Sequence, residues 1–101
     1  MEYVLILSKK FEKEFERLDN SIKNEAWKKI ERLKNNPENT GKHLRHLNLW
    51  ELKIRMYRVF YFIDKSQIRI LLLSVKHKDE TDKYVRGLSL DEIKQLLNGV
   101  S

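Results

Sequence analysis

The chain has 101 residues, 41% of them hydrophobic and 36% charged, with a formal net charge of +6 and no cysteine. That length supports a single core, so one domain over residues 1–101 is expected, with residues 88–101 as a C-terminal helical extension. The missing cysteines exclude disulfides and thiolate metal sites, and no apolar run approaches the roughly 20 residues of a membrane helix.

The start, Met-Glu-Tyr-Val-Leu-Ile-Leu, has no basic leader or cleavage site, and the cytoplasm is the expected location. The charge is uneven: +2 in residues 1–36, +5 in 37–88 and −1 in 89–101. A basic surface attracts polyanions, and nucleic acid is the commonest one in a cell. A lysine-rich composition also serves solubility alone.

Residues 3–7 read as a short strand of β-formers. Ser8 is placed to cap the helix that follows. Phe11, Phe15 and Leu18 recur at helical spacing and make one apolar stripe. Asp19-Asn20-Ser21 breaks that helix. A second carries Ile22, Ala26, Ile30 and Leu33 on one face and ends near Pro37, because proline disfavours helix in the residue before it. The two helices form an antiparallel hairpin whose stripes cover one face of a sheet. Trp27 lies off the stripe, towards the sheet edge.

Residues 37–42 read as a loop, and 43–47 as a short edge strand. Residues 49–63 are the centre of the chain: two strands meeting at a corner near Met56. In the first, Trp50, Leu52, Ile54 and Met56 alternate with Glu51, Lys53 and Arg55. The second opens with Arg58 and is then apolar on both faces, as a strand in the middle of a sheet is. Asp64–Gln67 turns the chain into another apolar strand, residues 68–75, which runs into Lys76-His77-Lys78. A short helical turn with Tyr84 follows. Ser89-Leu90-Asp91-Glu92 is a capping-box pattern opening a last helix. Core packing is the expected role of that helix; competition with a partner on the active face is the alternative. The fold class is α+β: an N-terminal strand and a two-helix hairpin on one face of a largely antiparallel sheet of four or five strands, with a short C-terminal helix.

Lys53, Arg55 and Arg58 come from the central hairpin, and Lys76, His77, Lys78 and Tyr84 from the end of the next strand and beyond. In a meander these meet on the sheet face away from the helices. The set suits phosphodiester cleavage. Arginine neutralises the phosphate and its transition state, lysine or histidine moves protons, and tyrosine stacks on a base or holds the attacking hydroxyl. No carboxylate pair or His/Asp/Glu cluster is spaced for a metal, so no cofactor is expected, and a metal-free route needs the 2′-OH of RNA as nucleophile. Each piece also has a plainer reading. Arg55 with Glu51 fits a surface ion pair. Lys76 and Lys78 fit charges that guard a sticky strand end. His77 fits an ordinary polar residue, and Tyr84 a lid on the core. His43 and His46 suit a metal poorly, since their spacing belongs to a helix and no third ligand is near.

The run Leu49-Trp50-Glu51-Leu52-Lys53-Ile54, then Tyr57-Arg58-Val59-Phe60-Tyr61, a hydrophobic strand ending in Lys76-His77-Lys78, and Tyr84 resembles the RelE/ParE toxin superfamily of toxin–antitoxin modules. The likeness covers about residues 1–86, and Trp-Glu-Leu-Lys leans towards its HigB-like, phage-derived branch. The resemblance implies an endoribonuclease that cuts mRNA on the ribosome and is neutralised by a cognate antitoxin. The basic face of this chain suits an acidic, partly disordered antitoxin segment that wraps the domain and covers or displaces that face. It implies Lys53 for proton transfer or phosphate contact, Arg55 as a supporting cation and Arg58 on the phosphate. It further implies Lys78 or His77 at the leaving oxygen and Tyr84 on the substrate. Glu51 stands where the best-studied branch has lysine, and is a possible general base. Lys42, His43, Arg45 and Lys76 are the candidate RNA contacts. The superfamily also contains gyrase-inhibiting toxins without ribonuclease activity, and an inactive RNA-binding module is a third reading.

Overall fold

The computed structural model describes residues 2–45 and 47–99. In order, these form β1 (Val4–Leu7), α1 (Lys9–Glu16), α2 (Asn20–Arg32), α3 (Pro37–Thr40) and β2 (Lys42–His43). There follow β3 (Leu49–Ile54), β4 (Tyr57–Asp64), β5 (Arg69–His77), a 3-10 turn (Lys78–Glu80), α4 (Thr81–Gly87) and α5 (Leu90–Gly99). The five strands make one sheet in the order β1-β5-β4-β3-β2. Every pairing is antiparallel except β1 with β5. No helix among the described residues is long and apolar enough to cross a membrane.

The helix starts follow the sequence signals. The Ser8 hydroxyl accepts the Phe11 N–H at 3.1 Å, and the Ser89 hydroxyl accepts the Glu92 N–H at 3.2 Å. The stretch expected as a loop at 37–42 instead holds the single turn α3. Pro37 opens that turn, where its fixed φ and missing N–H cost nothing. The expected strand over 43–47 shrinks to Lys42–His43, and Leu47 and Asn48 take positive φ.

Two apolar layers sandwich the sheet. The α1–α2 hairpin seats Phe11, Ala26, Ile30 and Leu33 on Leu52, Ile54, Val59, Tyr61, Ile63, Ile70, Leu72 and Val75. Phe15, Leu18 and Ile22 join that layer. Trp27 meets Phe15 edge-on at 6.1 Å, and both it and β1 residues line a shallow surface hollow. The opposite face is covered in part as well. Leu88 and Ile93, with Leu96 and Leu97, pack on Leu49, Phe60, Leu71 and Leu73. The last helix therefore completes a second core layer, and only part of that face stays open.

Tyr61 ties α3 to the sheet. Its hydroxyl donates to the Pro37 carbonyl at 2.7 Å. Gly41 passes so close that an added Cβ would collide with the Tyr61 hydroxyl and the Glu51 carbonyl. Only glycine fits there.

Candidate functional site

Sheet register builds the site. Lys53 lies opposite Arg58, and Arg58 opposite Lys76. Residues directly opposed in antiparallel strands share a face, so three cations form a row across β3, β4 and β5. The next row is mixed: Lys42 opposite Glu51, Glu51 opposite Phe60, and Phe60 opposite Ser74. Both rows lie on the face away from the α1–α2 hairpin, beside the apolar layer under α5.

A β-bulge decides which cations join. Tyr61 pairs with Leu72 but Phe60 with Ser74, so β5 carries one extra residue at Leu73. A bulge reverses strand parity beyond it. Leu72 and Val75 consequently share the hairpin layer, and Lys76 turns to the other face beside Arg58. His77 falls on the hairpin side, opposite Tyr57, with the two rings edge-on at 5.8 Å. Its Nδ1 accepts the Asp79 N–H at 3.2 Å and caps the 3-10 turn.

The row is internally neutralised in part. Arg58 Nε stands 3.6 Å from Glu51 Oε1, with the two side chains 16% and 15% exposed. Arg58 Nη1 also donates to the carbonyls of Arg55 (3.0 Å) and Tyr57 (2.9 Å), which fixes the guanidinium. Lys76 Nζ lies 2.6 Å from Glu14 Oε2 on α1. Lys53 is exposed and has no ion pair among the described residues. Two open depressions flank the Arg58–Lys76 pair. One, of about 430 Å³, is lined by Thr40, Gly41, Lys42, Glu51, Lys53 and Arg58. The other, of about 340 Å³, is lined by Lys10, Lys76, Lys83 and Tyr84 among others.

Tyr84 lies against the core as well as at the site. Its ring stacks on Phe60 at 4.8 Å, with Lys10 Nζ 4.9 Å and Lys76 Nζ 5.9 Å from its centroid. Burial, then the charges of Glu14 and Glu92, push its hydroxyl well above the ordinary phenol range, against an opposing hydrogen bond with Ser74. The phenol keeps its proton, and what it offers the site is its ring.

The candidates expected to cluster thus divide. Glu51, Lys53, Arg58, Lys76 and Tyr84 are together, with Lys42 at the rim. Arg55 is not among them: it sits in the β3–β4 turn at φ 53°, and its Nε bonds Glu25 of α2 at 2.9 Å. Its ion pair is therefore with Glu25, while Glu51 pairs with Arg58. His77 is on the other face, for the parity reason given above. Lys78 begins the 3-10 turn; its N–H bonds the Met56 carbonyl at 2.7 Å, which holds it near the hairpin corner with an exposed side chain. His43 is also on the hairpin side, stacked on Trp50 at 4.6 Å and bonded through Nε2 to Asn48 at 2.8 Å. Arg45 is exposed in the loop after β2. His46 lies outside the described residues. Among the described residues, no three of His, Cys, Asp or Glu gather as a metal site. Lys10, Glu14 and Lys83 join the site unforeseen. In α1, Glu14 stands between Glu12 and Glu16, and nothing in the spacing singles it out.

A family model described as the ParE toxin of type II toxin–antitoxin system, parDE, matches residues 5–81. Comparison with curated proteins gives no match. Among solved structures, a mutant of the Escherichia coli toxin RelE in the free state superposes with a TM-score of 0.72 at 21% identity, over 83% of this chain and 92% of that one. A chain of the intact E. coli RelBE toxin–antitoxin complex gives 0.69 at 22% identity, over 74% and 95%. A chain of a RelBE complex from Mycobacterium tuberculosis gives 0.66 at 22%, over 76% and 99%. Identities this low carry the fold alone.

Proposed function

The chain belongs to the ParE toxin family of type II toxin–antitoxin systems, and we propose that it is a metal-independent endoribonuclease that cuts mRNA, on the ribosome, in the cytoplasm. The observation that carries this reading is the register-aligned row Lys53–Arg58–Lys76 on an open sheet face. Such a row suits a phosphodiester passing across the strands. In the proposed step the 2′-oxygen attacks the adjacent phosphorus and the P–O5′ bond breaks. The products are a 2′,3′-cyclic phosphate and a free 5′-hydroxyl. Arg58 holds the phosphoryl oxygens. Glu51 or Lys53 takes the 2′-OH proton, and Lys78 or Lys76 returns one to the leaving oxygen. Lys42 and Arg45 guide the flanking strand. A cognate antitoxin, acidic and partly disordered, is the proposed partner and covers the basic face. The RelBE complexes of similar fold support such a pairing.

The test is induction of the wild type, Arg58→Ala and the Arg58→Ala/Lys78→Ala pair, with transcript ends mapped. The wild type is expected to stop translation and leave discrete internal cuts. Arg58→Ala is expected to lower cleavage by roughly 10²-fold. Intact transcripts during wild-type growth arrest would overturn the reading.

A second reading has its own support: the matching family model is named for ParE. A gyrase-inhibiting toxin would cause DNA damage with intact mRNA, and the same induction separates the two.

A further inference from the structure

Glu14 occupies a place that surface carboxylates rarely do. Strand β1 pairs with β5 only from Val4–Arg69 to Leu7–Leu72, so the β5 edge beyond is unpaired by any strand. An open edge leaves backbone donors to be satisfied. Helix α1 covers that edge, and Glu14 Oε1 accepts both the Val75 N–H (3.2 Å) and the Ser74 hydroxyl (2.6 Å). Oε1 is therefore anchored to the strand just past the bulge. That fixes Oε2, which holds Lys76 Nζ at 2.6 Å. Both side chains are well covered, 17% exposed for Glu14 and 22% for Lys76.

We propose that Glu14 is a positioning residue for the site: it holds the Lys76 ammonium between Arg58 and the Tyr84 ring. This deepens, and rests on, the reading of the row as a phosphodiester site. A lysine on a four-carbon stem is otherwise free to sweep solvent. Held by Glu14, it stays at one spot at the end of the cation row. The carboxylate also repels a polyanion. Glu14 thus weakens binding slightly while it improves geometry.

That opposition gives the test. Glu14→Gln keeps an oxygen for Ser74 and Val75 but loses the ion pair. It is expected to bind a short oligoribonucleotide about 2-fold to 5-fold more tightly, through one fewer negative charge. It is expected to cleave roughly tenfold more slowly at saturation, because the cation is misplaced. In a Lys76→Met background the same change should leave cleavage rate unaltered. A purely structural role would weaken binding and cleavage together, and a purely electrostatic one would improve both; either result overturns the proposal.

A second measurement does not depend on ribonuclease activity. By NMR, the two ε-methylene protons of Lys76 should be resolved in the wild type and collapse to one signal in Glu14→Gln. A single averaged signal in the wild type would overturn the proposal by itself. If the wild type fails to cut RNA while this collapse is seen, the enzymatic reading falls and the positioning of Lys76 stands.

Discussion

Arg58 and Lys76 oppose each other on β4 and β5, and each is held by a carboxylate from a different element, Glu51 of β3 at 3.6 Å and Glu14 of α1 at 2.6 Å. The two cations are thus fixed in place before any polyanion arrives. Preorganised charge of this kind needs no rearrangement at the moment of reaction. The unpaired charge that would draw a polyanion in comes from exposed neighbours such as Lys53 and Lys42.

The division of the basic residues between faces is directly testable. Lys53→Ala and Lys76→Ala are expected to reduce RNA cleavage at least tenfold. Arg55→Ala and His77→Gln are expected to stay within about threefold of the wild type, since both point into the hairpin side. Transcript cleavage with equal protein levels measures this. Loss of activity in Arg55→Ala at unchanged stability would contradict the face assignment.

Tyr84 should act through its ring. Tyr84→Phe keeps the stack on Phe60 and the surface under Lys10 and Lys76, and should retain most cleavage. Tyr84→Ala opens a hole beside Phe60 and should lower both stability, by about 3 kcal/mol, and activity. Thermal melts and cleavage assays on the two variants separate ring from hydroxyl. A Tyr84→Phe variant as inactive as Tyr84→Ala would give the hydroxyl a role that its burial argues against.

The junction of α3 with the sheet should be intolerant of small changes. Gly41→Ala places a methyl on the Tyr61 hydroxyl and should cost about 2 kcal/mol or more. Tyr61→Phe leaves the Pro37 carbonyl without its donor and should cost about 1–2 kcal/mol. Urea unfolding of each variant measures both. Because Lys42 and Glu51 flank this junction, the Gly41 variant should also weaken RNA binding.

Asp64 gives an acid-side signature. Burial works to raise its pKa, but hydrogen bonds from Arg69, Ser66 and the Gln67 N–H outweigh it and hold the carboxyl below its ordinary value of 3.8. A folded pKa below the unfolded one contributes stability that is present above the unfolded pKa and lost as pH falls through the folded pKa. Asp64→Asn should therefore be less stable than the wild type at pH 6, with the gap closing as pH drops below about 3.9. Denaturant titrations at pH 6 and in strong acid check the sign. A gap that widened in acid would contradict it.

Much of this was legible in residue order. The helical stripes of Phe11, Phe15 and Leu18, and of Ile22, Ala26, Ile30 and Leu33, reach the core as their spacing requires. So did the caps at Ser8 and Ser89, and the hairpin corner that brings Lys53 to Arg58. What alternation could not reveal was the extra residue at Leu73. Its neighbours are apolar apart from Ser74, and a single serine does not mark an irregularity, yet the bulge places Lys76 rather than His77 at the site. Nor could periodicity find Glu14, whose partners lie 60 and more residues away. Contacts at that separation are set by how α1 lies along the sheet edge, which is a tertiary fact.

The layer that α5 lays over Phe60, Leu71 and Leu73 ends where the cations begin, and Phe60 belongs to both neighbourhoods. A chain this short has no spare wall. Whatever drift in sequence thins α5 also loosens the ground on which Tyr84 stands, so the robustness of that layer and the shape of the cation row are kept or lost as one trait.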